Sequence, residues 1–241
     1  MNSCFTELVE QKLVLAQKIY SGEIPESQSD AGAILWHTLF SMASRIWPPP
    51  TRSGKRFPEM LVKYAENSLG LKRICYPLLM HFFLHKNELN NAMVLESILP
   101  ESYRRFNNKD NQFIIRSEDV DPFENELNFN FKFDSYINLR TFSIANYFFI
   151  FLRTDALYGY LSNSCSIQFQ DEKNLGIYYQ RKTINEKPDF REGDISNYNR
   201  GINFSYFWLV NVIRSILKTI EIEKIEIPQN VPKRWWVDKN E

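Results

Sequence analysis

Histidine and glycine are both scarce in this chain, with 3 His and 8 Gly among 241 residues. Three histidines, His37, His81 and His85, sharply restrict proton-transfer and metal-centred models. Cysteine is limited to Cys4, Cys75 and Cys165, an odd number far apart in the chain and without a CxxC pair. That spacing predicts reduced thiols, no intramolecular disulfide and a cytoplasmic protein. There is no excess of either charge: Lys plus Arg and Asp plus Glu both number 29, and the pI is about 6.9. No whole-molecule field therefore draws in nucleic acid or an anionic membrane, and any polyanion site must be local. Long hydrophobic runs are absent too. The most lipid-like stretch, residues 147–152, is followed at once by Arg153 and Asp155, and it is too short to span a bilayer. The first turns already carry Glu7, Glu10, Gln11 and Lys12, which is unlike a signal peptide. No membrane association is expected. The patterns GxxxxGK[ST], GxGxxG and GxSxG are all missing, so nucleotide hydrolysis, dinucleotide binding and serine-hydrolase chemistry lose their main sequence support.

What the chain does hold is aromatic mass, with 19 Phe, 12 Tyr and 5 Trp making up 15%. Hydrophobic residues at 44% and charged residues at 24% describe an ordinary globular protein with a packed core. Bulky rings must carry much of the burial. The length suits one domain over residues 1–241.

Apolar spacing predicts a helix over 4–20, a polar loop to residue 30, and a second helix over 31–47 stopped by Pro48, Pro49 and Pro50. A third helix opens after Gly54 with Phe57, Met60, Leu61 and Tyr64 inward, and ends near Gly70. Residues 71–99 read as one or two helices, with Pro77 as the dividing point. Signals weaken over 106–134, an expected irregular insertion or arm in which alternating Phe129, Phe131 and Phe133 suit extended chain. Residues 136–161 are apolar almost all round and predict a central helix. Alternation at Ile167 and Phe169, then Ile177 and Tyr179, predicts a β-hairpin over 166–181. A long helix over 201–223 and a tail over 224–241 complete the chain. The expected fold is mainly α, a helical bundle with a small β-hairpin and an irregular insertion.

His81 and His85 stand four apart on a predicted helix, the spacing of zinc ligands, with Glu88 near the same face. The metalloprotease glutamate between them is absent, and a polar helix edge explains the pair as well; no metal and no cofactor is expected. His37, between Trp36 and Thr38, reads as a hydrogen-bonded core residue. Glu118, Asp119 and Asp121 read as solvated charge. Arg52, Lys55, Arg56 and Lys63 gather at or near one helix start, where the helix dipole disfavours cations and a phosphate or partner carboxylate would compensate. Ion pairing with Glu59 and Glu66 is the plainer alternative. Near the other end Lys233, Arg234, Trp235, Trp236 and Lys239 combine cations with flat rings able to stack bases, or to fold back onto the bundle.

The helix order, the segment Gly54-Lys55-Arg56-Phe57 opening a helix, and the helix-then-hairpin after Tyr158 resemble the HEPN domain, the helical family of prokaryotic defence and toxin ribonucleases. Members carry R-x(4–6)-H, often RNxxxH, whose arginine and histidine act on RNA across a dimer. The matching stretch here is Ser162-Asn163-Ser164-Cys165-Ser166-Ile167. Asn163 keeps its place, but Ser162 stands for the arginine and Ile167 for the histidine, so the resemblance implies a dead site. The leading expectation is a non-catalytic HEPN-like protein that binds RNA or a partner protein in a prokaryotic defence or RNA-processing system, with a homodimer as one expected assembly. One alternative is a ribonuclease using Arg73 with His81 or His85, although seven residues separate Arg73 from His81. Another is a structural or adaptor subunit.

Overall fold

Helical periodicity is the first organising signal. In α1 (Ser3–Tyr20) the residues Phe5, Val9, Leu13, Ala16 and Ile19 form one buried stripe. The helix ends where Gly22 adopts a left-handed φ of 82° and the amides of Ser21, Gly22 and Glu23 bond back to the last turn. In α2 (Gln28–Ile46) Ala31, Leu35, Leu39 and Met42 face inward. His37 is on the exposed side of this helix, not in the core as its apolar neighbours suggested. The 3.6-residue period explains this: with Leu35, Trp36, Thr38 and Leu39 all buried, position 37 is the one turned outward. The computed structural model describes residues 3–26, 28–46, 53–86, 88–97, 114–130, 138–150, 167–168, 176–180 and 202–227.

Among these residues the protein is mainly helical with a small sheet. After α3 (Ser53–Tyr64) a 3-10 turn, Asn67–Leu69, is closed by Gly70 at φ 73°; Leu71 and Lys72 make a further turn, and Arg73 and Ile74 then form single bridges to Phe123 and Ser143. Pro77 does not divide a helix. It lies in the first turn of α4 (Tyr76–His85), where its missing N–H would have had no partner in any case. The break falls instead before α5 (Leu89–Ser97). Residues 114–130, part of the expected insertion, supply β1 (Ile114–Arg116), a 3-10 turn (Ser117–Asp119) and α6 (Glu124–Asn130), and they bury Val120, Asp121 and Leu127. Phe129 is therefore helical, not extended.

The expected central helix starts later than its apolar pattern implied. Residues 139–142 form a 3-10 turn, capped by Asn138, whose side chain accepts from the Arg140 amide, and α7 is described over 144–150. Its Ile144, Ala145, Tyr147, Phe148 and Phe149 are buried while Ile150 is 46% exposed. Near the C-terminus, residues read as helix form β4 (Ile202–Ser205) before α8 (Tyr206–Ile222) begins. Ser205 makes the switch, since its side chain accepts from the Trp208 amide and caps α8. The sheet runs β1-β3-β4-β2, with β2 at Ile167–Gln168 and β3 at Ile177–Gln180. The two segments expected to pair as a hairpin are not bonded to each other: β4 lies between them, antiparallel to β3 and parallel to β2. Pairing partners depend on residues distant in sequence, which alternation within 166–181 could not disclose.

One aromatic cluster joins the layers. Phe148 lies edge-on to Trp36, Phe204 and Trp208 at centroid distances of 5.8, 4.7 and 5.5 Å, and Phe57 is 6.0 Å away. It thereby ties α2, α3, α7, β4 and α8 together. The Trp208 indole N–H donates to the Leu69 carbonyl at 3.0 Å, and the Ser215 hydroxyl accepts from the Glu66 amide at 2.7 Å, fixing α8 to the turn after α3.

Candidate functional site

The most concentrated chemistry among the described residues lies around Asp121. Residues 71–75, a turn followed by the bridge residues Arg73 and Ile74, form a strap between two segments. On one side the Ile74 amide donates to Pro122 O; on the other the Cys75 amide donates to Phe142 O, and Ile144 and Ala145 donate to Arg73 O and Leu71 O. This arrangement brings the start of α4, the 117–119 turn and β3 to one point. The Asp121 carboxylate is 1% exposed there. It accepts from the Tyr76 amide at 2.9 Å, from the Tyr179 hydroxyl at 2.7 Å and from the Ser117 hydroxyl. The Cys75 thiol lies 3.5 Å from the Tyr179 hydroxyl. Because the tyrosine proton points to Asp121, the thiol is the donor in that contact.

Burial decides the electrostatics. Removal from water pushes the Asp121 carboxyl up to about 6, against the opposing pull of its three hydrogen bonds and the Arg73 charge. Burial and then the neighbouring Asp121 charge raise the Cys75 thiol, and the same two causes, with Cys75 adding to them, raise the Tyr179 phenol. A thiol held neutral in this way is a poor nucleophile. The cluster is built to bind segments together, and its groups are turned away from solvent.

Arg73 is directed inward: its Nη1 donates to Asp121 O at 2.7 Å and its guanidinium lies 4.3 Å over the Phe123 ring. His81 and His85 share α4, one turn apart, and their side chains are outside the described set. Glu88 follows α4 and accepts from Asn91 Nδ2 at 2.9 Å. Among the described residues no group of three His, Cys, Asp or Glu is placed to hold a metal ion. Lys55 and Arg56 lie in the first turn of α3, and the described side chains begin at Arg56, which is half-buried. Lys63 is exposed, its ammonium 5.0 Å over the Tyr64 ring. Arg52, Lys233, Arg234, Trp235, Trp236, Lys239 and residues 161–166 lie outside the described residues, while Ile167 stands in β2. Cys4 is exposed and free, Cys75 is buried and free, and Cys165 lies outside the described residues.

Asp121 corrects the reading of 118–121 as solvated charge. Glu118 and Asp119 are exposed, but the 3-10 turn carries Asp121 inward. Its sequence did hold a weak signal, since Val120 and Phe123 flank Asp121-Pro122 and an aspartate among apolar neighbours needs partners. Those partners, 45 and 58 residues away at Tyr76 and Tyr179, give no local sign. Among the described residues no helix is long and apolar enough to cross a membrane. No protein-family model, no curated protein and no solved structure matches the chain.

Proposed function

We propose that this chain is a HEPN-like helical protein of the cytoplasm without catalytic activity, which binds RNA in a prokaryotic defence or RNA-processing system. The observation that carries the reading is the use made of Arg73. A ribonuclease built on Arg73 with His81 or His85 needs the guanidinium offered to a phosphate. Here it is committed to the Asp121 carbonyl and to the face of Phe123. Lys55 and Arg56 stand in the first turn of α3, where helical amide groups also point outward, and a phosphate would meet both. Ser162 and Ile167, in place of the family's arginine and histidine, support the same conclusion.

Incubation of the purified protein with end-labelled RNA tests the reading. The expected outcome is RNA retarded but uncut, both by the wild type and by His81→Ala. Cleavage by the wild type that disappears in His81→Ala would hand the protein to the ribonuclease alternative. The adaptor reading has one observation in its favour. Leu89, Met93 and Val94 of α5 are 59, 59 and 43% exposed, and apolar side chains gathered on one helix suit a protein partner. Its mark would be a stoichiometric partner or a second copy that co-purifies in the absence of RNA.

A further inference from the structure

The Asp121 cluster has the connectivity of a proton-holding site, independent of any RNA-binding role. When the carboxylate is ionised, Tyr76 N–H, Ser117 O–H and Tyr179 O–H all donate to it, and the Cys75 thiol donates to Tyr179. When the carboxyl is neutral it must donate its own proton. Tyr179 can accept it and turn its hydroxyl proton toward the Cys75 sulfur, a weak acceptor. Tyr76 N–H still donates to the other carboxyl oxygen. The cluster can therefore take up one proton by rotating hydroxyls, with no change of backbone.

Among the described residues every hydrogen-bond partner of the carboxylate oxygens is neutral. The facing charged and titratable groups are few. Arg73 comes from the strap and spends its guanidinium on the backbone carbonyl of Asp121 and on Phe123. Cys75 comes from the same strap and Tyr179 from β3. Phe142, Ser143, Ile144 and Ala145 contribute nothing that titrates, Glu118 and Asp119 are exposed, and His81 and His85 lie further along α4. A charge at 1% exposure among neutral partners favours any motion that admits water.

We propose that Asp121 is a proton latch: in its neutral form it holds residues 117–123 against the 71–76 strap and the start of α4, and on ionisation this seam opens to water. The titrating carboxylate is itself one of the ties across this seam: the Tyr76 amide ends on it, beside the Ile74 amide on Pro122 O and the Arg73 guanidinium on Asp121 O. The opposite edge of the strap is fastened to 142–145 by Cys75, Ile144 and Ala145 amides, which have no part in the titration. The sign follows from linkage. The carboxyl rises from 3.8 to about 6 on folding, so the seam is most stable below the lower value and loses that stability as pH rises through the upper one.

Residue-resolved amide hydrogen exchange at pH 4 and pH 7, corrected for intrinsic rates, tests this. The seam amides of Ile74 and Tyr76 should lose protection by up to roughly a hundredfold, the factor carried by about two pH units. Cys75 and Ile144 amides should change far less. Asp121→Asn, which keeps the shape without the titration, should abolish the difference. Equal protection at both pH values, or a difference that persists in Asp121→Asn, overturns the proposal. If that variant does not fold, the carbon-13 shift of the Asp121 carboxyl in the wild type decides: a midpoint near 6 supports the latch, and one near the ordinary value of about 4 overturns it.

Discussion

Replacing Phe148 with alanine is expected to cost about 3–5 kcal/mol of stability, the range for deleting a large buried aromatic side chain. The side chain is fully buried and contacts Trp36, Phe57, Phe204 and Trp208, so its loss opens a void where four other elements meet. Rings this large cannot shift to fill the space without leaving their rotamers. Urea denaturation followed by intrinsic tryptophan fluorescence measures the loss, and the fluorescence itself should change because two of the neighbours are tryptophans. A cost below about 1 kcal/mol would place Phe148 at a surface.

Asp121→Ala should be comparably damaging by a different route. It deletes the acceptor for the Tyr76 amide, the Ser117 hydroxyl and the Tyr179 hydroxyl, all in a buried site. A buried donor left unpaired costs about 1–3 kcal/mol. The two hydroxyls can rotate toward other acceptors, whereas the amide at the start of α4 cannot, so a total of about 3–5 kcal/mol is expected rather than three full penalties. Removal of the carboxyl also ends the cost of burying it, which holds the total down at neutral pH. Tyr179→Phe, which takes away one donor and leaves the carboxylate two partners, should cost less than Asp121→Ala in the same denaturant experiment. Equal costs would mean that the carboxylate does not organise the cluster.

The elements with regular periods were the legible ones. In α1, α2 and α3 the inward residues recur every three or four positions, and nothing outside each helix is needed to see it. The starts of helices were harder. Residues 202–205 are apolar enough to pass for the first turn of α8, and only the pairing with β3 and the cap at Ser205 separate strand from helix. The same holds at 139–142, where a 3-10 turn precedes α7. Sheet order was hidden because β4 enters between β2 and β3 from more than twenty residues downstream.

The candidate site divides in the same way. Lys55 and Arg56 were visible as cations at a helix start, and both lie in the first turn of α3, which begins at Ser53, inside the stretch read as a turn. The Asp121 cluster draws Cys75, Tyr76, Ser117 and Tyr179 from three separate parts of the chain, and each of these residues has an ordinary local explanation. Arg73 looked available for phosphate because sequence shows the cation and not the carbonyl or the ring that occupies it.

RNA binding through the start of α3 is tested by a gel-shift titration at two salt concentrations. Wild-type affinity should fall as salt rises, because each neutralised phosphate releases counterions. The Lys55→Ala, Arg56→Ala double variant should keep its helical circular dichroism, bind RNA more weakly, and show a salt slope flatter by about one unit for each lost contact. If those cations only pair with neighbouring carboxylates on the surface, stability should change by ~1 kcal/mol at most. RNA affinity and salt slope unchanged in the double variant would show that the start of α3 does not hold RNA.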